Sequence, residues 1–379
     1  MRIALFSGNY NYLREGANQA LNRLVSDLQA RGHEFRVYSP VTDTPAFEPA
    51  GTLVPVPSVQ LPKRSEFRLA LGINRALRDD IRTFRPDLVQ VSTPDILGTR
   101  AQTFAKRLGV PVVASLHTRF ETYLGYYGLN WLRPLVEAHL NRFYRRSDMV
   151  LAPNRAVQVE LARICGAERV AVWGRGIDPD RFSPTRRSAS WRSANGWSAD
   201  DIVLLFFGRL VVEKGVQDYI ETVRQLRSSG LPVKALVIGE GPARDRFSAL
   251  PDAVLTGHLD GDALGQAVAS ADIMLSPSVT EAFGNVIVEC MASGLAVVSA
   301  DAQSSRELID PGVTGLLCDP SRPNDYVTAI AGLIADPGRR QAMAIAAIAE
   351  SGRHSWEDAS LNVERAYRTV ISRGPRPRP

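Results

Sequence analysis

Short apolar runs alternate with helical stretches along most of this chain, and that alternation limits its fold more than any other feature. Residues 1–6 form the first run, which ends in Ser7-Gly8 and reads as a buried strand followed by a turn. Gly16-Ala17-Asn18 then opens a helical pattern, with Leu21, Leu24, Val25 and Leu28 at 3.6-type spacing and Gly32 as the stop. Further strands are predicted at 35–38, 88–91, 110–115 and 149–152, with helices over 67–84, 97–108 and 129–145. Short apolar strands separated by helices of about ten or more residues mean βαβ units, and hence a parallel sheet covered on both faces. The rhythm breaks after Asp178. Pro179, Pro184, Arg186, Arg187 and several serines make a polar connector reaching about Ala199. The alternation then restarts, with strands at 202–207, 233–238, 253–256, 273–275 and 296–299 and a helix over 217–227. The end is helical from Pro323 to about Ser372.

The expected fold class is α/β, with two Rossmann-like doubly wound parallel-sheet domains of similar size facing across a cleft. The division expected is a first domain at 1–180, a linker at 181–200 and a second domain at 201–355. A helix at 356–373 would cross back to the first domain, ahead of a disordered tail at 374–379. The length of 379 residues supports two domains at roughly 100–200 residues each. A hydrophobic share of 45% and a charged share of 22% belong to a globular rather than a disordered chain. No apolar run reaches the ~20 residues of a membrane span, and the N-terminus lacks a signal-peptide pattern. Three scattered cysteines (Cys165, Cys290, Cys318) exclude a disulfide framework and a Cys-based zinc cluster, and they fit a reducing cytosol. The expected location is therefore the cytoplasm.

The strongest chemical signal lies in the second half. Strand 204–207 runs into Gly208-Arg209-Leu210-Val211-Val212-Glu213-Lys214-Gly215, ahead of a helix. Ligands of open parallel sheets bind outside the carboxyl ends of the strands, where this segment falls. Arg209 offers a planar fork for two phosphate oxygens and Lys214 a compact point charge. Only four of the 45 basic side chains are lysines, so a lysine at this place stands apart from the arginine-rich background. An isolated Arg-x4-Lys is more often a pair of solvated charges, but this one has company. Strand 235–238 ends in Gly239-Glu240-Gly241-Pro242, and Pro277-Ser278 leads into Thr280-Glu281-Ala282-Phe283-Gly284-Asn285-Val286-Ile287-Val288-Glu289. A helix starting near Gly284 would offer free amides around Phe283–Asn285 as an anion site. Glu289, four residues after Asn285, lies on the same helix face ~6 Å further along. Its neighbours Val286-Ile287-Val288 and Cys290-Met291-Ala292 are apolar, and a carboxylate among them needs a partner or a ligand.

Strand–Gly-Arg-x4-Lys-Gly, Gly-x-Gly-Pro and Glu-Ala-Phe-Gly-x4-Glu, in this order, resemble the donor-binding half of retaining GT-B glycosyltransferases of the large GT4 family. The resemblance covers nearly the whole chain. It implies that Arg209 and Lys214 hold a donor diphosphate, that Glu289 holds the ribose, and that Glu281 with the backbone of 282–285 holds the sugar and phosphate. His117-Thr118-Arg119-Phe120-Glu121-Thr122-Tyr123, followed by Tyr126-Tyr127-Gly128-Leu129, is similar to the branch with GDP-mannose-dependent α-mannosyltransferases and sulfolipid synthases. In that branch the matching histidine contacts the sugar at the reaction centre. The catalytic set implied is His117, Arg209, Lys214 and Glu281. The binding set is Gly16, Ala17, Arg175, Gly208, Gly239, Phe283, Gly284, Asn285, Val286 and Glu289. Gly16-Ala17-Asn18 stands where many relatives have paired glycines opposite the diphosphate, and this chain lacks the pair. Arg175-Gly176-Ile177-Asp178 resembles the family's hinge segment.

The triplets Asp178-Pro-Asp180 and Asp260-Gly-Asp262 are read as structural, since they fall at the linker and between a strand and a helix. No metal and no cofactor is expected. Cationic side chains and helix amides would take the metal's part. The reaction implied is transfer of a sugar from a nucleoside diphosphate, best matched by GDP-mannose, to an acceptor hydroxyl with retention at the anomeric carbon. Base contacts are expected from residues 257–262. Residues 60–86 carry seven basic side chains against three acidic, and residues 133–146 carry four against one beside Trp131, Leu132, Leu135 and Phe143. Such helices fit an anionic membrane surface, peripheral attachment to the inner face of the plasma membrane, and a lipid or lipid-linked glycan acceptor. Nucleic acid is not an expected partner, because no recognition motif accompanies the charge. A UDP-sugar donor (UDP-glucose, UDP-glucuronate or UDP-sulfoquinovose), a sugar-nucleotide epimerase and a catalytically silent nucleotide-binding partner stay open. A nicotinamide-dependent dehydrogenase is the reading from a different class, and against it neither Gly8 with Gly16 nor Gly239 with Gly241 has the Gly-x-Gly-x-x-Gly spacing.

Overall fold

A computed structural model describes residues 1–12, 16–61 and 64–376. The chain divides into two compact units. The first holds the residues up to Arg175, apart from Gly125–Gly128, together with the C-terminal segment from Trp356. The second holds Gly125–Gly128 and Gly176–Ser355.

The first unit runs β1 (Arg2–Phe6), α1 (Gly16–Ala30), β2 (Glu34–Ser39), β3 (Thr52–Pro55), β4 (Ser58–Leu61), β5 (Arg64–Ala70), α2 (Arg75–Phe84) and β6 (Leu88–Val91). It continues through α3 (Ile96–Leu108), β7 (Val112–Ser115), α4 (Phe120–Tyr123), α5 (Arg133–Arg145), β8 (Met149–Ala152), α6 (Arg155–Cys165) and β9 (Val170–Val172). Seven parallel strands form its sheet in the order β3-β2-β1-β6-β7-β8-β9. The strand order reverses between β1 and β6, so the loops after these two strands flank the switch-point crevice at the carboxyl edge. Alternate residues of one strand serve opposite faces. Ala4 and Phe6 pack with Val89, Val91 and the apolar side of α2 and α3, while Ile3 and Leu5 pack with Leu21, Leu24 and Leu28 of α1.

The second unit opens with α7 (Ala189–Ala194), then β10 (Val203–Phe207), α8 (Val216–Ser228), β11 (Lys234–Ile238), β12 (Val254–Gly257), α9 (Gly261–Ala269) and β13 (Ile273–Ser276). After these come α10 (Asn285–Ala292), β14 (Ala296–Ala300), α11 (Gln303–Arg306), β15 (Leu316–Cys318), α12 (Asn324–Ala335) and α13 (Pro337–Ser351). Its six parallel strands lie in the order β12-β11-β10-β13-β14-β15. Here the order reverses between β10 and β13. The last helix, α14 (Trp356–Arg373), belongs to the first unit and buries Val363, Ala366, Tyr367 and Val370 in its core. Tyr367 also donates its phenol hydrogen to the buried Gln90 of β6.

Four expectations are corrected. The stretch 67–70 is not helical: it is the end of β5, which pairs antiparallel with β4 through Val59 opposite Leu69. Polar and apolar residues alternate there at period two, and α2 starts only at Arg75, capped by the Asn74 side chain on the Leu77 amide. The stretch 129–132 is a single 3-10 turn, Asn130–Leu132, ahead of α5. Residues 181–200 are no loose linker. A 3-10 turn at Pro184–Arg186 and helix α7 fold onto the second unit, where Arg187 and the buried Arg192 share the Asp272 carboxylate and take up carbonyls of 269–271. The polar composition that suggested a connector is this arginine network. In the tail, Arg376 donates to the Asp148 carboxylate and to the carbonyls of Arg145 and Ser147, while residues 377–379 lie outside those described. Lys63, counted in the basic stretch 60–86, also lies outside them.

Candidate active site

In the second unit, three loops leave the carboxyl ends of adjacent strands β11, β10 and β13. The β10 loop carries Gly208 to Gly215, with a 3-10 turn at Val212–Lys214. It is laced to the β11 loop by backbone bonds, Leu210 N to Glu240 O at 2.8 Å and Ala243 N to Leu210 O at 2.8 Å. This approach is possible only without a side chain at Gly239, whose Cβ would stand 1.9 Å from the Gly208 carbonyl oxygen. On the other side Gly215, at φ +73°, packs where a Cβ would meet Pro277 of the β13 loop at 2.6 Å. Thr280 Oγ1 donates to the Glu213 carbonyl at 3.3 Å and ties the β13 loop to the β10 turn. Gly215, Gly239 and Gly241 are therefore contact points between loops, and the loops form one floor.

On that floor Lys214 donates from Nζ to Glu281 in a hydrogen-bonded ion pair, both side chains mostly covered. Arg209 is exposed at the beginning of the same loop. Gly284, in the left-handed conformation, caps α10, whose first amides have no partner within the helix. Phe283 is buried and meets His354 edge-on at 5.7 Å. Asn285 is partly exposed, but its Oδ1 is buried and lacks a hydrogen-bond partner. Val286 follows it, partly exposed, on the first turn of α10. One turn on, the Glu289 carboxyl is pushed up to about 7 by burial, against a pull downward from the Arg181 charge. Lys214, Glu281, Gly284, Asn285 and Glu289 thus belong to one contiguous region, and Gly208, Arg209 and Gly239 border it.

The other expected residues lie in the first unit. His117 follows β7 at its carboxyl end. Its Nδ1 is 3.1 Å from Nη2 of Arg175, and its Nε2 is 2.8 Å from Oγ of Ser115. Burial and the Arg175 charge hold the imidazole well below its ordinary titration range. Arg175, 6% exposed, gives Nη1 to the carbonyls of Trp173 and Gly174, both at 3.0 Å, and lies over the Trp173 ring at 4.6 Å. Its guanidinium is thus committed inside the unit, and Ser115 and Trp173 are partners that sequence reasoning missed. Neither carries a motif: Ser115 reads as the end of a strand and Trp173 as core. Arg181, beside Glu289, was missed in the same way. Gly16 and Ala17 form the first turn of α1, Gly16 exposed and Ala17 partly covered. Of the aspartate triplets, Asp178 pairs with Arg181 at 3.8 Å and Asp262 with Arg186 at 3.3 Å.

Known proteins resemble this chain over nearly its whole length. Residues 14–181 match Glycosyltransferase Family 4, and residues 201–336 match Glycosyl transferases group 1. A sulfoquinovosyl transferase of Arabidopsis thaliana is 30% identical over 96% of this chain and 72% of its own length. A GDP-mannose-dependent alpha-mannosyltransferase of Mycobacterium tuberculosis is 34% identical over 84% of this chain and 83% of its own. Among solved structures, sucrose-phosphate synthase from Thermosynechococcus elongatus superposes with a TM-score of 0.75 at 19% identity, covering 98% of this chain and 99% of that one. An Anabaena protein solved with UDP-glucose gives 0.74 at 20% identity, over 98% of this chain and 100% of its own. Motif order, switch-point geometry and relatives agree: the chain belongs to glycosyltransferase family 4 and has the GT-B pair of parallel-sheet Rossmann-like domains.

Proposed function

We propose that this glycosyltransferase moves mannose from GDP-mannose to a hydroxyl of a membrane lipid or lipid-linked glycan, with retention at the anomeric carbon. The observation that carries the donor half is the Lys214–Glu281 pair set against the amino end of α10 with Glu289 one turn behind. In this reading the diphosphate lies against Arg209, Lys214 and the first amides of α10, and the ribose hydroxyls meet Glu289. The bond from sugar to phosphate breaks and negative charge grows on the leaving diphosphate. Each charge-assisted donor aimed there contributes on the order of 2–4 kcal/mol to the transition state. Glu281 keeps Lys214 in place before the donor arrives and turns to the sugar once phosphate oxygens have taken over the ammonium. Retaining glycosidases set two carboxyl groups ~5 Å apart about the scissile bond. The motifs here supply no such pair, so the acceptor attacks on the face the diphosphate leaves, and the phosphate takes the acceptor's proton.

The mannosyl reading leans on the 34% identity to a GDP-mannose-dependent enzyme, and the rival reading, with sulfoquinovose as the sugar, on the 30% identity to a sulfoquinovosyl transferase. Slow donor hydrolysis and thermal shift with GDP-mannose, UDP-glucose, UDP-glucuronate and UDP-sulfoquinovose separate them. Hydrolysis of GDP-mannose alone is expected. Turnover of a UDP-sugar in its place overturns the donor assignment.

The lipid acceptor is supported by α5. Trp131 just before it is 75% exposed and Leu135 is 68% exposed. Trp131, Leu135, Ala138, Arg142 and Arg145 follow at steps of four and three, so one exposed stripe passes from apolar to cationic. An aromatic and a leucine that enter the acyl boundary, with arginines at phosphate level, make an interfacial anchor. Among the described residues no helix is long and apolar enough to cross a membrane.

A further inference from the structure

His117 invites a role as general base or acid, because it is a histidine at the carboxyl end of a sheet strand. Its partners argue otherwise. A guanidinium can only donate hydrogen bonds, so the 3.1 Å contact from Arg175 Nη2 requires a bare lone pair on Nδ1. The ring proton must then sit on Nε2, where Ser115 Oγ accepts it at 2.8 Å. Trp173 completes the pocket, edge-on to the imidazole at 5.1 Å and under the guanidinium at 4.6 Å. Arg175 is the charged group that acts on the ring. Ser115 from β7 and Trp173 from the end of β9 are neutral.

We infer that Arg175 is a positioning residue of the transfer reaction, holding the His117 imidazole as the neutral tautomer with its proton on Nε2. Protonating Nδ1 would break the bond from Arg175 and set two cations in contact in a buried pocket, a costly arrangement. The ring is therefore barred from taking a proton from the acceptor, and its one polar offering is the Nε2 hydrogen. To any ligand the ring can therefore offer only that hydrogen, now held by Ser115 Oγ, and His117 moves no proton. The tautomer follows from the ligand-free geometry, whereas its use in turnover rests on the sugar-transfer reading above.

Nitrogen-15 NMR of the imidazoles in the full-length protein, with His117 assigned by difference from His117→Asn, tests the tautomer directly. Expected are a protonated Nε2, an unprotonated Nδ1 and no titration of His117 between pH 5 and 8. An Nδ1-protonated ring, or a midpoint near the ordinary histidine value, overturns the inference whether or not the enzyme uses GDP-mannose. The second measurement is the pH dependence of kcat at saturating donor, where the free-enzyme ionisation of Glu289 drops out. Wild type is expected to show no histidine limb. Arg175→Met should introduce one, with kcat changing through the new midpoint as a cation replaces the neutral ring. Arg175→Lys, which restores a donor to Nδ1, should recover the flat profile. A flat profile and an Nε2-protonated ring in Arg175→Met would show that Arg175 does not set the tautomer. If Arg175→Met does not fold, the spectra of wild type and Arg175→Lys still decide the question.

Discussion

A carboxyl group raised to about 7, as Glu289 is, costs stability when it ionises. The folded-state value lies above the ordinary carboxyl range near 4.5, so the folded protein holds the proton more tightly than the unfolded chain. Stability therefore falls as pH rises from about 4.5, and the loss is complete above the folded value. Glu289→Gln removes an ionisation worth up to about 3 kcal/mol. It is expected to leave Tm unchanged near pH 4 and to raise it at pH 8, while donor affinity drops; thermal melts at the two pH values and donor titration read both. A variant equally stable at both pH values relative to wild type would remove the ionisation from the site. Lys214 carries a different expectation. Lys214→Ala should lower kcat by about 10²–10³-fold with a small change in Tm, and Arg209→Ala should do the same. Full activity in either variant takes that cation out of the chemistry. The residue scale was also where reading failed, because Trp173 and Arg181 meet His117 and Glu289 only across long stretches of chain, and Ser115, two residues before His117, carries no motif.

Two helices carry the next predictions. The exposed stripe of α5 should bind vesicles containing anionic phospholipid and should not bind zwitterionic ones. Arg142→Gln and Arg145→Gln should each weaken binding about fivefold, at about 1 kcal/mol per arginine near the surface, with the effect fading at high salt. Trp131→Ala should weaken it in a way salt does not rescue. Equal partition of wild type and variants would make α5 an ordinary solvated face. For α14, the buried Tyr367 hydroxyl is the polar tie to Gln90 of β6. Tyr367→Phe strands a buried amide oxygen and should cost about 1–3 kcal/mol, read as an earlier loss of hydrogen-exchange protection in the first unit than in the second. Long elements with a clean period, such as α1, α3 and α8, were legible within a residue or two. Some short strands were not, although β6 and β8 were. β3, β9 and β15 have only three or four residues, and their pairing comes from neighbouring strands rather than from their own pattern.

Across the whole molecule, twice-repeated alternation was enough to announce two parallel sheets, because a buried strand joined to an amphipathic helix has few ways to cover both. The motif glycines and their spacing likewise announced the nucleotide-sugar half, since backbones can approach one another and a phosphate only where side chains are missing. What the sequence by itself determined is therefore the class of fold, the family and the chemical types present at the carboxyl ends of the second sheet. Only the tertiary structure decided which charges meet. It turned the expected linker into an arginine network on Asp272 and closed Arg175 onto His117 rather than leaving it free as a hinge contact. Local pattern depends on periods of two and 3.6 residues, which neighbours along the chain carry. A buried charge, by contrast, takes its partner from whatever the packing brings near it, and that partner can stand 58 residues away, as His117 does from Arg175.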